Sequence, residues 1–366
     1  MQKIKVGIPH GDINGVGYEV ILKAFSNEEI LSICTPVIYG SPKVATYHRK
    51  AIESQTNFVL VPSAADAREG QVNMVNCFGE AELKIEYGKP TEEAGRAAFT
   101  ALEASMKALA DGQIDVLVTA PINKNTIQRD DFHFPGHTEY IEERLGKGRK
   151  ALMILMNEHM RVALVTTHLP VSKIAEHITQ PLIEEKIQIL HESLVRDFAL
   201  DNPRIAVLSL NPHCGDNGLL GSEEQDVIIP AIESATKKGI CCFGPYAADG
   251  FFGSGNYMRY DAILAMYHDQ GLAPFKALAG GDGVNYTAGL PVVRTSPAHG
   301  TAYDIAGKNE ADENSFRQAI YTAIDVFRHR CEYDKSHAHP LRKQYYEKRD
   351  DSDKLKLDQV TEEDTL

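Results

Sequence analysis

The chain has no apolar run near the roughly 20 residues that a membrane-crossing helix needs, and none of its 6 cysteines stands in CxxC spacing. Cys34, Cys77, Cys214, Cys241, Cys242 and Cys331 are scattered through 366 residues. A chain of that length needs no disulfide staples, so a reducing cytoplasm is expected. Positive charge is also in deficit: 38 Lys and Arg against 51 Asp and Glu give a formal net charge of −13. That balance argues against a nucleic-acid or anionic-membrane surface. The N-terminal MQKIKVGIPHGD lacks a long apolar core or a small-residue cleavage site and reads as a first strand, not a signal peptide. Short signature motifs are missing as well. There is no HExxH, and PHGDINGVGYEV is neither GxGxxG nor a P-loop, so alone it indicates only a tight turn before a helix. The chain has no internal repeat and no low-complexity linker.

What is present is an alternation. IKVGIP, TPVIYG, VLVTAP, RVALVTT, RIAVLSLNP and AILAMYHDQG are β-rich apolar runs, each ending in polar or turn-forming residues. Between them lie helical patterns at Glu92–Ala110, Ile183–Phe198, Glu223–Lys238 and Ser315–Arg330. The pattern predicts an α/β fold with mostly parallel sheets and ligands held beyond the carboxyl ends of the strands. The charged stretch from about Glu332 to Leu366 reads as a solvated helix or a frayed tail.

Three histidines stand in matching settings. His168 follows RVALVTT, His213 follows RIAVLSLNP and His268 follows AILAMY, each with a loop expected immediately after it. Three neutral imidazoles with an open position form a Lewis-acid metal site, whereas a single strand-end histidine is more often a hydrogen-bonded structural residue. Asp216, Asp249, Asp261 and Asp269 cluster nearby in sequence. Of these, Asp249 and Asp269 lie in unusually polar motifs and are the candidates for orienting a ring or moving a proton.

The stretch APFKALAGGDGVNYTAGLPVVRTSPAHGTAYDIAGK carries Lys276, Asn285, Arg294 and His299 among many glycines and without an amphipathic period. Such a stretch inside a compact domain points to a binding site. Arg294 suits bidentate binding of phosphate or carboxylate, and Lys276 suits phosphate binding or proton transfer. The alternative for either is an ordinary surface or ion-pair cation. FPGHTEYIEERL holds a helix start, with His137 or Thr138 near its cap and Glu139 in its first turn. Its free N–H groups would welcome an anion.

The ordered series GDINGVGYEV, TAPINK, PGHTEY, TTHLP, LNPHCGD, GPYAADGFF, YHDQGLAPFK and TSPAHGTAYDIAGK resembles that of the 4-hydroxythreonine-4-phosphate dehydrogenase family. The resemblance runs from about residue 5 to about residue 330. It implies a fold similar to isocitrate and isopropylmalate dehydrogenases, with two α/β subdomains flanking a cleft. Residues 1–127 and 286–366 would form the cofactor side, and residues 128–285 the metal, substrate and dimerisation side. It also implies a homodimer with shared active sites and a step of vitamin B6 biosynthesis. The reaction would be NAD-dependent oxidation of 4-phosphohydroxy-L-threonine followed by decarboxylation to 3-amino-2-oxopropyl phosphate. By resemblance His168, His213 and His268 are ligands of one divalent metal (zinc, cobalt or magnesium), with His268 coming from the partner subunit. The substrate contacts fall on His137, Thr138, Lys276, Asn285 and Arg294, and the nicotinamide loop on His299, Gly300 and Asp304. Proton transfer is expected from Lys276 or an aspartate, Asp269 or Asp249. The competing expectations are a paralogue acting on a phosphorylated threonate or an aromatic cis-dihydrodiol and, in a different class, a metal-dependent phosphatase or phosphate-binding protein.

Overall fold

A computed structural model describes residues 3–128, 132–134 and 136–339. Its strands are β1 (Ile4–Pro9), β2 (Cys34–Gly40), β3 (Val59–Val61), β4 (Asn73–Asn76), β5 (Val116–Val118), β6 (Leu152–Met156), β7 (Arg161–Leu164), β8 (Ile205–Leu208), β9 (Cys242–Tyr246), β10 (Ala262–Ala265), β11 (Val284–Ala288) and β12 (Arg294–Pro297). They form one 12-stranded sheet in the order β3-β4-β2-β1-β5-β12-β11-β6-β7-β10-β8-β9. The expected α/β class with mostly parallel strands is therefore present. The exception is the centre, where β12–β11, β11–β6 and β6–β7 are antiparallel.

Connection length explains that seam. A parallel crossover needs a dozen or more residues, but only residues 157–160 join β6 to β7 and residues 289–293 join β11 to β12. Both links close as hairpins. The first is a turn in which Asn157 Oδ1 accepts from the backbone N–H of His159 and Met160, each at 3.0 Å. The boundary expected at residues 285/286 falls inside β11, which pairs with both β12 and β6.

Helix Glu92–Ala110 spans its expected range because Thr91 caps it, accepting from Ala94 N at 3.2 Å, and Gly112 follows at φ +68°. Helix Gln180–Arg196 begins earlier than expected, because Thr179 accepts from Leu182 N and Pro181 fits a first turn. The expected helix Glu223–Lys238 opens instead with a π turn at Glu224–Ile228, followed by the α-helix Ile229–Lys237. Helix Asn314–His337 outruns the expected Arg330 and takes in the start of the charged tail; residues 340–366 lie outside the described residues.

Two expectations are corrected. No loop follows His268: a helix, His268–Ala279, starts there. The Gly-rich stretch is largely regular structure, comprising the end of that helix and then the β11–β12 hairpin.

Strand alternation gives β11 two faces. Tyr286 points away from Asn285, into a core covered by helices Gln180–Arg196 and Asn314–His337. There Arg330 Nε donates to Asp197 Oδ1 at 2.6 Å, and Arg330 Nη2 donates to the Tyr286 hydroxyl at 3.0 Å. That hydroxyl and Ser193 Oγ donate to Asp197 Oδ2 at 2.5 and 2.6 Å. The buried charges are thus paired and bonded on both sides, the condition under which burial is tolerated.

Candidate active site

The opposite face of the antiparallel centre is the floor of a cleft of about 230 Å³. Register dictates who stands there. Asn285 pairs with Leu155 on one side and Ser296 on the other, while Thr287 pairs with Met153 and Arg294. Residues two apart share a face, so Met153, Leu155, Asn285, Arg294 and Ser296 all line the cleft. One wall is the exit of β5, from Ala120 to Lys124, with the start of helix His137–Leu145. The other carries His168 and the helix face His268, Leu272 and Lys276, spaced by four residues. Pro297 to Gly300, leaving β12, form part of the rim.

Arg294 is only 3% exposed, and among the described residues no carboxylate pairs with it. Its Nη2 donates to Thr119 Oγ1 at 2.7 Å, its Nε donates to the same oxygen at 3.2 Å, and its Nη1 donates to Thr287 Oγ1 at 3.2 Å. Nη2 also lies 3.2 Å from His137 Nδ1. Burial pushes the guanidinium down to about 10, against a weaker opposing pull from Glu139.

A guanidinium can only donate, so His137 Nδ1 is the acceptor and its proton sits on Nε2. Burial first, and then the charges of Arg294 and Lys124, hold His137 well below the usual histidine range, so it is a neutral donor. The helix it opens is capped by Gly136, without any side-chain cap. His137 or Thr138 was expected at that cap; both lie one or two positions inside, and the first-turn N–H groups have no capping side chain. Lys276 is exposed and, among the described residues, has no ion pair. Asn285 Oδ1 and His299 Nε2 are buried without partners.

The structure brings two of the three expected metal histidines together. His168 and His268 of the same chain line the cleft with ring centroids 6.4 Å apart. Each has its Nδ1 on a carboxylate: His168 on Glu139 Oε1 at 3.0 Å and His268 on Asp269 Oδ1 at 2.6 Å. Burial alone would raise Glu139, but the bond to His168, its own backbone N–H and the nearby positive charges outweigh it and hold the carboxyl below its usual value. Lys124 Nζ stands 3.1 Å from His168 Nε2.

His213 is not in this cleft. It opens on a separate depression of about 500 Å³ with Asp249, Tyr267 and Gln270. It lies in a run, His213 to Asn217, whose backbone is left-handed at every residue, a strained conformation for the four that are not glycine. Glu224, 1% exposed, supports the start of this segment by accepting from Leu210 N at 2.8 Å and Asn211 N at 2.7 Å. Among the described residues no three His, Cys, Asp or Glu side chains converge on one metal position within the chain.

The remaining candidates separate. Asp269 is 85% exposed and outside the cleft, turned to His268. Asp249 lies beside His213, away from Lys276. Asp261 bonds Arg204 N at 2.7 Å, and Asp216 belongs to the left-handed run. Gly300 lines the cleft, while Asp304 sits on an exposed turn beyond it. Tyr303, one residue earlier, donates to the buried Asp12 Oδ2 at 2.6 Å, and Val16 N donates to Thr301 O at 3.0 Å. The loop that presents His299 is thereby pinned to the loop after β1.

Sequence reasoning missed Lys124, Glu139 and Thr119. Thr119 and Lys124 open and close the quoted TAPINK segment, and Glu139 lies in PGHTEY, where it reads as an ordinary first-turn acid.

The family model described as pyridoxal phosphate biosynthetic protein PdxA matches residues 32–323. The chain is 66% identical over 361 residues to the 4-hydroxythreonine-4-phosphate dehydrogenase of Bacteroides thetaiotaomicron, covering 99% of each. It is 36% identical over 324 residues to a putative D-threonate 4-phosphate dehydrogenase of Oceanobacillus iheyensis, covering 88% of this chain and 97% of that one. A crystal structure of the 4-hydroxythreonine-4-phosphate dehydrogenase from Klebsiella pneumoniae superposes with a TM-score of 0.75 at 31% identity, covering 89% of this chain and 98% of that one.

Proposed function

The chain belongs to the pyridoxal phosphate biosynthetic PdxA family, and we propose that it oxidises 4-phosphohydroxy-L-threonine with NAD to 2-amino-3-oxo-4-phosphooxybutanoate. That β-keto acid then loses carbon dioxide to give 3-amino-2-oxopropyl phosphate. The observation that carries the reading is Arg294, a guanidinium shut from water with no carboxylate partner among the described residues, in a cleft also lined by Lys276. A buried cation without a counter-ion favours an anionic ligand. A phosphate would take the remaining Nη1–H of Arg294, the Nε2–H of the neutral His137 and the N–H groups at the helix start beside Thr138.

The donor set fits a divalent metal in part. His168 and His268 would hold the ion, with their Nδ1 atoms already on carboxylates as metal-bound imidazoles require. Asp269 takes the orienting role at His268. We place the third ligand, His213, and with it Asp249, in a second copy of the chain, because one chain leaves both outside the cleft. This moves the cross-subunit contribution from His268 to His213. The ion, when bound, supplies Lewis acidity to the substrate hydroxyl and to the enolate left by carbon dioxide.

For NAD, the unpartnered Nε2 of His299 and the open space over Gly300, where a Cβ would meet nothing within 4 Å, suit the nicotinamide end. Asp304 is left to the outer part of the dinucleotide. Asn285 aligns the substrate backbone by hydrogen bonding. Lys276 is our choice for moving the proton, since its ammonium borders the cleft without a competing partner. No helix among the described residues is long and apolar enough to cross a membrane, and we place the reaction in the cytoplasm.

The test is NADH formation at 340 nm with 4-phosphohydroxy-L-threonine, its unphosphorylated form and 4-phosphothreonate. The proposal expects turnover only with phosphate present and preference for the amine. Preference for the threonate would transfer the chain to the paralogous reaction, and phosphate release without NADH would sink the dehydrogenase reading.

A further inference from the structure

We propose that Glu139 and Lys124 set the cation affinity of His168 from opposite sides, Glu139 preparing its Nε2 for a divalent ion and Lys124 competing for the same lone pair. This rests on the metal reading above and adds two residues to it. Lysine can only donate, so the 3.1 Å contact from Lys124 Nζ makes His168 Nε2 the acceptor. An imidazole that accepts at Nε2 carries its proton on Nδ1, which then donates to Glu139 Oε1 at 3.0 Å. The ring is thus already in the tautomer a metal ligand needs, fixed by a carboxylate behind it. The ammonium meanwhile stands at the lone pair where an ion would bind. Among the described residues Lys124 makes no ion pair, so no carboxylate holds it back.

The two groups act with opposite sign. Removing the carboxylate frees the tautomer and withdraws negative charge, which weakens ion binding. Removing the ammonium exposes the lone pair and withdraws repulsion, which tightens it. In both cases the residue is a positioning residue that acts through His168.

The test measures zinc affinity of the full-length protein by competition with a chelating indicator, for wild type, Glu139→Ala, Glu139→Gln and Lys124→Met. The expected result is about 10- to 100-fold weaker binding for Glu139→Ala. Lys124→Met should bind about 10-fold tighter. Glu139→Gln should fall between wild type and Glu139→Ala, since its amide oxygen can still accept from Nδ1–H while the negative charge is lost. Nitrogen-15 spectra of the histidine rings, recorded without metal, should show His168 as the Nδ1–H tautomer in wild type and lose that signature in Glu139→Ala. General damage to the fold would weaken every variant, so equal or weaker binding by Lys124→Met overturns the competition. An unchanged tautomer and affinity in Glu139→Ala overturns the role of the carboxylate. If the wild type takes up no ion, the metal reading and the competition both fall, while the tautomer signature still decides what Glu139 does.

Discussion

Two buried arginines make opposite predictions. Replacing Arg294 with methionine removes a charge that has no counter-ion among the described residues. A guanidinium depressed to about 10 in the fold is disfavoured in its charged form at neutral pH by about 3 kcal/mol. The sign follows from the direction: a base lowered by folding binds its proton more weakly than the unfolded chain does. The cost is therefore fully present below the folded value and fades only in strong alkali. Against this relief stands the loss of bonds to Thr119, Thr287 and His137, about 1 kcal/mol for each partner net. The two effects nearly cancel, so Arg294→Met should unfold in denaturant within about 1 kcal/mol of wild type. Arg330→Met removes one half of a satisfied pair and strands Asp197, which should cost about 3–5 kcal/mol. The functional outcome reverses the order. One charged hydrogen bond to a phosphate at about 1.5–3 kcal/mol puts the loss of kcat/KM for Arg294→Met at about 10- to 10²-fold. Millimolar inorganic phosphate should raise the Tm of wild type and of Arg330→Met, if the latter folds, but not that of Arg294→Met. The reasoning is refuted if Arg294→Met is as unstable as Arg330→Met, or if it keeps the phosphate-induced rise in Tm.

Mixing His168→Ala with His213→Ala subunits should restore about a quarter of wild-type sites if His213 is supplied across a two-fold interface; an inactive mixture that has exchanged subunits would put both histidines in one chain. Exhaustive chelation should abolish NADH formation and added zinc or cobalt should restore it, whereas unchanged turnover would remove the metal role. Burial lowers His10 to about 3 and His48 to about 4, so both are neutral in the fold. Their depressed values make stability complete above the ordinary histidine range and drain it as pH falls toward the folded values. Urea unfolding at pH 5 should accordingly show about 2 kcal/mol less stability per histidine than at pH 7, and a flat profile would refute their burial as neutral rings.

The legible parts of the fold were those signalled locally. Thr91 and Gly112 bracket a helix whose apolar period lies between them, so its ends could be read directly. Strand direction could not: β6–β7 and β11–β12 are hairpins because their links are short, and glycines at 280, 281, 283 and 289 disguised β11 as loop. The helix at His268 was hidden because Tyr267, its N-cap, offers no capping side chain. At the site, cations and imidazoles were legible as types, and the cleft gathers His137, Asn285, Lys276, Arg294, His168 and His268, the last from the same chain where the motif series implied a partner subunit. Lys124 and Glu139 were not legible, because their chemistry lies in contacts to His168 made 44 and 29 residues away. The separation of His213 was equally silent, since equivalent settings in sequence carry no information about which depression a side chain enters.

The double commitment of β11 bears on how this scaffold can be re-engineered. With Asn285 facing the cleft and Tyr286 tied to Asp197 and Arg330, a slip of one residue would exchange the two surfaces at once. An insertion within residues 284–288 would therefore cost both catalysis and folding. The helix start at residues 136–139 and the face from His268 to Lys276 carry no such second duty in the Asp197 network. New specificity is best sought on those walls, with the floor left as it is.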